Sequence, residues 1–148
     1  PTIGQLFNFS FKGSPVDYKM GIMAYRLGRA EVLSGCGVKN AGWDGIYASR
    51  GSTINAEGAI ASGAGHFGIL ATLSSTINAS GADASDAGEA CISAQSSSTI
   101  NAEGAIASGA GTNGIFVSTG STINAQNATG TLSQAKNTLT YQGIIFQA

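Results

Sequence analysis

The sequence predicts an all-β fold, a right-handed parallel β-helix (solenoid) of 23-residue coils with three short strands in each. Three observations carry that expectation: a repeat of constant length, short alternating runs between turn-forming residues, and too much glycine for helices. The string Ser-Thr-Ile-Asn-Ala occurs four times, starting at Ser52, Ser75, Ser98 and Ser121, always 23 residues apart. Gly42, Gly65, Gly88 and Gly111 keep the same step, as do Ile46, Ile69, Ile92 and Ile115, and Ala59, Ala82, Ala105 and Ala128. A fixed period of this size marks a solenoid whose repeats bury their faces against their neighbours.

The elements follow in chain order. Residues 1–20 read as an N-terminal cap or junction strand, because Phe7, Phe9 and Phe11 share one face of an extended run. Residues 21–131 read as β-helix repeats. Their first copy is imperfect: Gly21 to Arg26 echoes Gly45 to Arg50 at a step of 24. The next unit contains three runs, Gly45 to Ser49, Ser52 to Ala56 and Gly58 to Ser62, each alternating and bounded by Gly, Asn or Ser. A helix of useful length would have to absorb several glycines at about 1 kcal/mol each, and the leucine-rich pattern is absent. Residues 132–148 read as a C-terminal capping segment, apolar from Tyr141 to Phe146, with Gly143-Ile144-Ile145-Phe146 as a final partial copy. At about 4.8 Å per coil, the chain makes roughly six coils, a rod about 30 Å tall with open strand edges at its ends.

Comparing columns separates inside from outside. Ile46, Ile54, Ala56, Ala59, Ala61 and their equivalents hold small or apolar residues and are expected to face the core. The column of Ile60, Asp83, Ile106 and Thr129 mixes charge with apolar bulk, which only an outward position tolerates. Asn55, Asn78, Asn101 and Asn124 are expected to form a structural ladder at the bend between the second and third strands. Asparagine tolerates a left-handed corner, and stacked amides hydrogen-bond from coil to coil. Strict alternation would point Asn55 outward, so the burial of the ladder stays open.

Composition narrows the function. The chain has 148 residues, 22 of them Gly, 10% charged and 43% hydrophobic, with a net charge of −1. That is neither a disordered polyelectrolyte nor, without a three-residue glycine period, collagen. No apolar run approaches the roughly 18 residues of a membrane span, so no membrane insertion is expected. Six of the seven basic residues lie at or before Arg50, yet nowhere densely enough to neutralise a row of phosphates, so no nucleic acid is expected. The chain starts Pro-Thr-Ile with no visible leader, and reads as a fragment of something longer.

Chemistry-bearing residues are sparse. A glycosidase needs two carboxylates roughly 5 to 10 Å apart. Glu57 and Glu103 share a column two coils apart, about 9.6 Å along the axis, with Ser80 between them and Asp83 on the intervening coil. These three are the candidate catalytic acids; Asp44 and Glu89, one column apart and two coils apart, form another conceivable pair. Trp43, Tyr47, His66, Phe67 and Phe116 fall at or near the first strand and are candidates for carbohydrate or subunit contact. Tyr47, Leu70, Ser93 and Phe116 make one outward column, and an exposed apolar stripe of that kind marks an interface. Ile60 and Ile106 make a second. Cys36 and Cys91 are about 10 Å apart along the axis, beyond the roughly 7 Å bridging limit, and Cys91 replaces a glycine where it fills core space. His66 has no Cys or second His near it in any column, so no metal site is expected, and no glycine motif supports a nucleotide or other cofactor.

The unit Gly45-Ile-Tyr-Ala-Ser-Arg-Gly-Ser-Thr-Ile-Asn-Ala-Glu-Gly-Ala-Ile-Ala-Ser-Gly-Ala resembles the β-helix repeats of bacteriophage tailspike and tail-fibre proteins of the pectate-lyase-like superfamily. The likeness covers about Gly21 to Thr131; filamentous adhesins and autotransporter passenger domains use similar Gly-x-Ile-Asn-Ala wording. It implies a homotrimer on the virion tail that binds, and often cleaves, a bacterial surface polysaccharide. It carries over no catalytic residue, and so repetitive a segment looks more like a shaft or C-terminal part than a catalytic groove. The expected function is therefore trimerisation and host-polysaccharide contact. A depolymerase (glycosidase or lyase) with its site on or between subunits, and an adhesin fragment on a bacterial cell surface, remain alternatives.

Overall fold

The computed structural model describes residues 20–130 in full, and the backbone strands Thr2–Ile3, Phe9–Ser10 and Leu132–Gln134, with Ile144–Phe146. The Phe7–Phe9–Phe11 cap and the apolar run before Ile144 lie outside the described side chains. The strands are β1 (Thr2–Ile3), β2 (Phe9–Ser10), β3 (Ile22–Tyr25), β4 (Arg29–Glu31), β5 (Val38–Lys39), β6 (Ile46–Ser49), β7 (Thr53–Asn55) and β8 (Ile69–Thr72). They continue as β9 (Thr76–Asn78), β10 (Ala90–Ala94), β11 (Thr99–Asn101), β12 (Asn113–Val117), β13 (Thr122–Asn124), β14 (Leu132–Gln134) and β15 (Ile144–Phe146).

Among the described residues every pairing is parallel and joins one coil to the next. Among the described residues, one sheet has seven strands in the order β1-β4-β7-β9-β11-β13-β15, a second has six in the order β3-β6-β8-β10-β12-β14, and β2 and β5 pair as a third. The repeat is the register: Ile46 pairs with Ile69 and Ile69 with Ile92, while Ile54 pairs with Ile77 and Ile77 with Ile100. The third side departs from expectation. Apart from β2 and β5, it is no strand but a column of single bridges, Gly37–Ile60–Asp83–Ile106–Thr129. The physical reason is the pair of left-handed glycines, Gly58 (φ 63°) and Gly63 (φ 70°), which turn the chain on both sides of Ile60 before a second ladder residue can form.

Alternation predicts the core correctly. Ile46, Ile54, Ala56, Ala59 and Ala61 are all fully buried, as are Ile69, Ile77, Ile92 and Ile100 on the following coils. Each buried isoleucine contributes about 1.5–3 kcal/mol, and the alanines between the stacks let the walls approach closely. Cys91 is fully buried in the same core, where its thiol donates to the Ser108 carbonyl at 3.3 Å. Burial pushes that thiol above its ordinary value, and both Cys36 and Cys91 are free.

Two polar ladders tie the coils together. Asn78, Asn101 and Asn124 each donate a side-chain amide to the carbonyl of the asparagine one coil before, at 3.0, 3.2 and 3.0 Å. The ladder points outward and is exposed to half-buried. Its asparagines are not the left-handed corner residues: that conformation falls three positions later, on Gly58, Gly81, Gly104 and Asn127. The second ladder is internal. The backbone N–H groups of Ser52, Ser75 and Ser98 donate to the hydroxyls of Ser75, Ser98 and Ser121 at 3.1, 3.1 and 3.0 Å, and all four serines are 1% exposed. Replacing Asn101 by Ala removes two ladder bonds and is expected to lower stability by about 1–2 kcal/mol, checked by urea unfolding.

The repeat is irregular at both ends. Glu31 pairs with Asn55, a step of 24, whereas Gly37 bridges to Ile60, a step of 23, so the extra residue of the first coil lies between Glu31 and Gly37. In the last coil Leu132 pairs with Ile115, a step of only 17. Consequently Ile144–Phe146 does not continue the Gly-Ile run of β12. It stacks instead on the Thr-Ile-Asn strand, Ile145 on Ile123.

Candidate functional site

The loops that lead into the six-stranded sheet stack as tightly as the strands do. A Cβ on Gly65, Gly88 or Gly111 would lie 2.5, 2.2 or 2.0 Å from the carbonyl oxygen of the glycine one coil before, so only glycine allows this approach. Backbone bonds hold the next residues in register: His66 N–H donates to the Trp43 carbonyl at 3.1 Å, and Glu89 N–H to the His66 carbonyl at 2.8 Å. Trp43, His66 and Glu89 thus form one column, with Asp44 and Phe67 in the next.

In this arrangement His66 is gripped from several sides. Its Nδ1 lies 3.1 Å from Asp44 Oδ1 and its Nε2 2.5 Å from Glu89 Oε2. The Trp43 indole stacks on it at 4.3 Å and 24°, and the Phe67 ring lies tilted at 4.1 Å. Asp44 Oδ1 also accepts the Phe67 backbone N–H at 3.1 Å. Ionised carboxylates only accept, so the group is satisfied when both imidazole nitrogens donate, or when a carboxyl keeps one of the protons. Asp44 is 2% exposed, Glu89 faces solvent, and Trp43 is 37% exposed. The outer wall therefore carries an aromatic platform in which Asp44 and Glu89 hold the His66 ring against the Trp43 indole.

Burial raises the Asp44 carboxyl above its ordinary value, against the lowering effects of the Phe67 N–H and of His66; the nearby Glu89 charge raises it further. A carboxyl that holds its proton more tightly folded than unfolded adds stability that is full below the ordinary carboxyl value. That stability is lost as pH rises through the raised value. Asp44→Asn keeps an acceptor for Phe67 and removes this titration. Relative to the variant, the wild type is expected to lose thermal stability as pH rises from about 3 through the raised carboxyl range; parallel Tm–pH curves would contradict the assignment.

The other predicted contact residues cluster beside this platform, but less exposed than a contact stripe requires. Phe67 and Leu70 are 6% and 7% exposed and form a second apolar cluster with Ala90, against which Tyr47 and Phe116 are half-buried. Ser93, between Leu70 and Phe116, is fully buried and accepts the Gln95 amide at 2.9 Å. The aromatic column is largely covered by the chain itself, because Phe67 folds over the outer face of the strand it precedes. Of the second predicted stripe, Ile60 is half-buried and Ile106 is 42% exposed.

The three candidate acids are not gathered into one site. Asp83 sits in the bridge column between Ile60 and Ile106, its Oδ1 accepting the Ser85 hydroxyl at 2.6 Å and the Ser85 N–H at 3.0 Å. Glu57 and Glu103 are exposed in the turn between the Asn ladder and the bridge column, with Ser80 between them donating to the Glu103 carbonyl at 3.3 Å. Glu57 lines a groove of about 350 Å³ with Glu31, Leu33, Ser34, Asn55 and Ser80, next to the extra residue of the first coil. Among the described residues, no three His, Cys, Asp or Glu side chains are arranged to hold a metal ion, and no helix is long and apolar enough to cross a membrane.

The Asp44–His66–Glu89 group is what sequence reasoning missed. The sequence reading pairs Asp44 with Glu89 by column and takes His66 as a contact candidate and as a rejected metal ligand, without joining the three. The signal was there, since Glu89 follows His66 by one full period and Asp44 precedes it by one residue less.

Stacked parallel strands around an Ile/Ala core define a β-solenoid. The chain belongs to the right-handed β-helix family: the family model described as a right handed beta helix region matches residues 6–141. No curated protein and no solved structure matches the chain.

Proposed function

We propose that this chain is the β-helical segment of a phage tailspike, which contacts a bacterial surface polysaccharide through the Trp43–His66 platform and assembles as a homotrimer on the virion tail. The observation that carries the polysaccharide contact is the partly exposed Trp43 indole, stacked on an imidazole that two carboxylates hold in place. A sugar ring offers an apolar C–H face to such a platform, while its hydroxyls find acceptors in the solvent-facing Glu89 carboxylate. A pre-positioned ring loses little side-chain freedom on binding. The family resemblance supports the trimer and the virion; the covered Tyr47–Phe116 column leaves less of the wall for sister chains.

Titration with oligosaccharides from the host surface glycan tests the contact. Trp43→Ala is expected to weaken binding tenfold or more, and Glu89→Gln less; wild-type affinity in Trp43→Ala would rule out the platform. Light scattering at micromolar concentration tests assembly, with a monomer counting against the trimer and favouring an adhesin fragment. The groove that brings Glu31 and Glu57 together favours a second reading, a depolymerase. Glycan cleavage that survives replacement of Glu31 and Glu57 by Gln would rule out the groove, and cleavage that survives replacement of Glu57, Asp83 and Glu103 by Ala would clear those acids.

A further inference from the structure

The wall of a solenoid repeats any charge at the spacing of its coils, about 4.8 Å. Like charges on adjacent coils of one column therefore repel, and among the described residues the sequence places such a pair once. Arg26 and Arg50 occupy the same column: Tyr25 pairs with Ser49, and Leu27 N–H donates to the Arg50 carbonyl at 3.0 Å. Both side chains are exposed, and both are drawn onto one ring, with Cζ atoms 5.4 and 5.1 Å from the Tyr25 centroid. No carboxylate among the described residues pairs with either guanidinium. An aromatic face attracts a cation without engaging its N–H donors, so Tyr25 positions the two guanidiniums and leaves their forks free. Ser49, which precedes Arg50 and lies opposite Tyr25 in register, is 1% exposed, and its hydroxyl is the one buried side-chain polar atom without a partner among the described residues.

We propose that Arg26, Arg50 and Tyr25 form an oxyanion-binding site, in which the guanidiniums of adjacent coils clamp a carboxylate or sulfate group. An anion between them removes the like-charge repulsion and accepts bidentate charged hydrogen bonds. Two planar forks one coil apart suit an acid-bearing sugar, such as a uronic acid or a sulfated residue, in a polymer lying along the rod. The site stands on the arginine geometry alone; only the assignment of its oxyanion to a polysaccharide rests on the proposed function.

The test is an NMR titration of the full chain, following the arginine Nε–H signals. The probes are inorganic sulfate, a uronic-acid hexasaccharide and a neutral glucose hexasaccharide. Sulfate and the uronate are expected to shift both arginine signals, and the neutral sugar neither. Arg50→Gln is expected to weaken both anions about tenfold, with Arg50→Lys restoring part, because an ammonium lacks the planar fork. Trp43→Ala is expected to leave sulfate binding intact. Equal binding of sulfate and uronate by the wild type and by Arg26→Gln/Arg50→Gln overturns the site. Arginine-dependent sulfate binding without any oligosaccharide binding keeps the site and overturns the polysaccharide reading. Circular dichroism verifies the fold; if the double variant loses its β spectrum, the single variants decide.

Discussion

Replacing Ile77 by alanine is expected to destabilise the protein by about 3–4 kcal/mol, within the range for deleting a fully buried aliphatic side chain. Ile77 is fully buried and pairs with Ile54 on one side and Ile100 on the other. Truncation removes its own burial and leaves a cavity that both neighbouring isoleucines line. The rigid register of the strands prevents the walls from collapsing into it. A solenoid is coupled only through neighbours, so a defect in this central coil also weakens the link between its two halves. Equilibrium urea unfolding reads the effect: a lowered midpoint is expected, and Ile77→Val should cost about 0.5–1.5 kcal/mol. A loss below about 1 kcal/mol for the alanine variant would mean that the core relaxes far more than its stacked geometry allows.

Gly88→Ala is expected to cost about 3 kcal/mol, although Gly88 is exposed and its neighbourhood is loop. A typical surface substitution stays within about 0.5 kcal/mol, which makes the result decisive. The added Cβ would stand 2.2 Å from the Gly65 carbonyl oxygen, a backbone atom that cannot swing aside. The coils must part at this corner, stretching the bonds from Glu89 N–H to His66 and from Gly88 N–H to Ala64. Because Glu89 follows directly, the same variant is expected to loosen the His66 contact and to weaken any ligand held by Trp43. Thermal unfolding gives the stability change, and the His66 ring NMR signals give the local one.

Much of the fold was legible in the sequence, and particular residues show why. The step from Ile46 to Ile69 to Ile92 is the register of a ladder written out in letters, because in-register parallel stacking brings each position against its own copy. Position 60 read as outward because Ile60, Asp83, Ile106 and Thr129 share no common environment, and they form the outward bridge column. The Asn ladder was legible for the same reason, but not its backbone: the left-handed angle sits at Gly58, a property of where the chain must turn. Phe67 and Leu70 looked exposed because alternation counts only the two faces of a strand. It cannot register a ring that folds back over the outer face from the preceding loop.

The one-dimensional order by itself determined the parallel β-helix, the length of its coils, the Ile and Ala core and the outward or inward sense of most columns. All of these follow from periodicity, since a constant step aligns equivalent residues whatever the details of the turn. The tertiary structure alone decided how residues in different columns meet. It reduced the third strand to a bridge and moved Ile144–Phe146 onto the other sheet. It also closed Asp44 and Glu89 around His66, and gathered Arg26 and Arg50 on Tyr25. Those outcomes depend on corner angles, on shortened or lengthened end coils and on side-chain directions, which a repeat constrains within a column but not between columns.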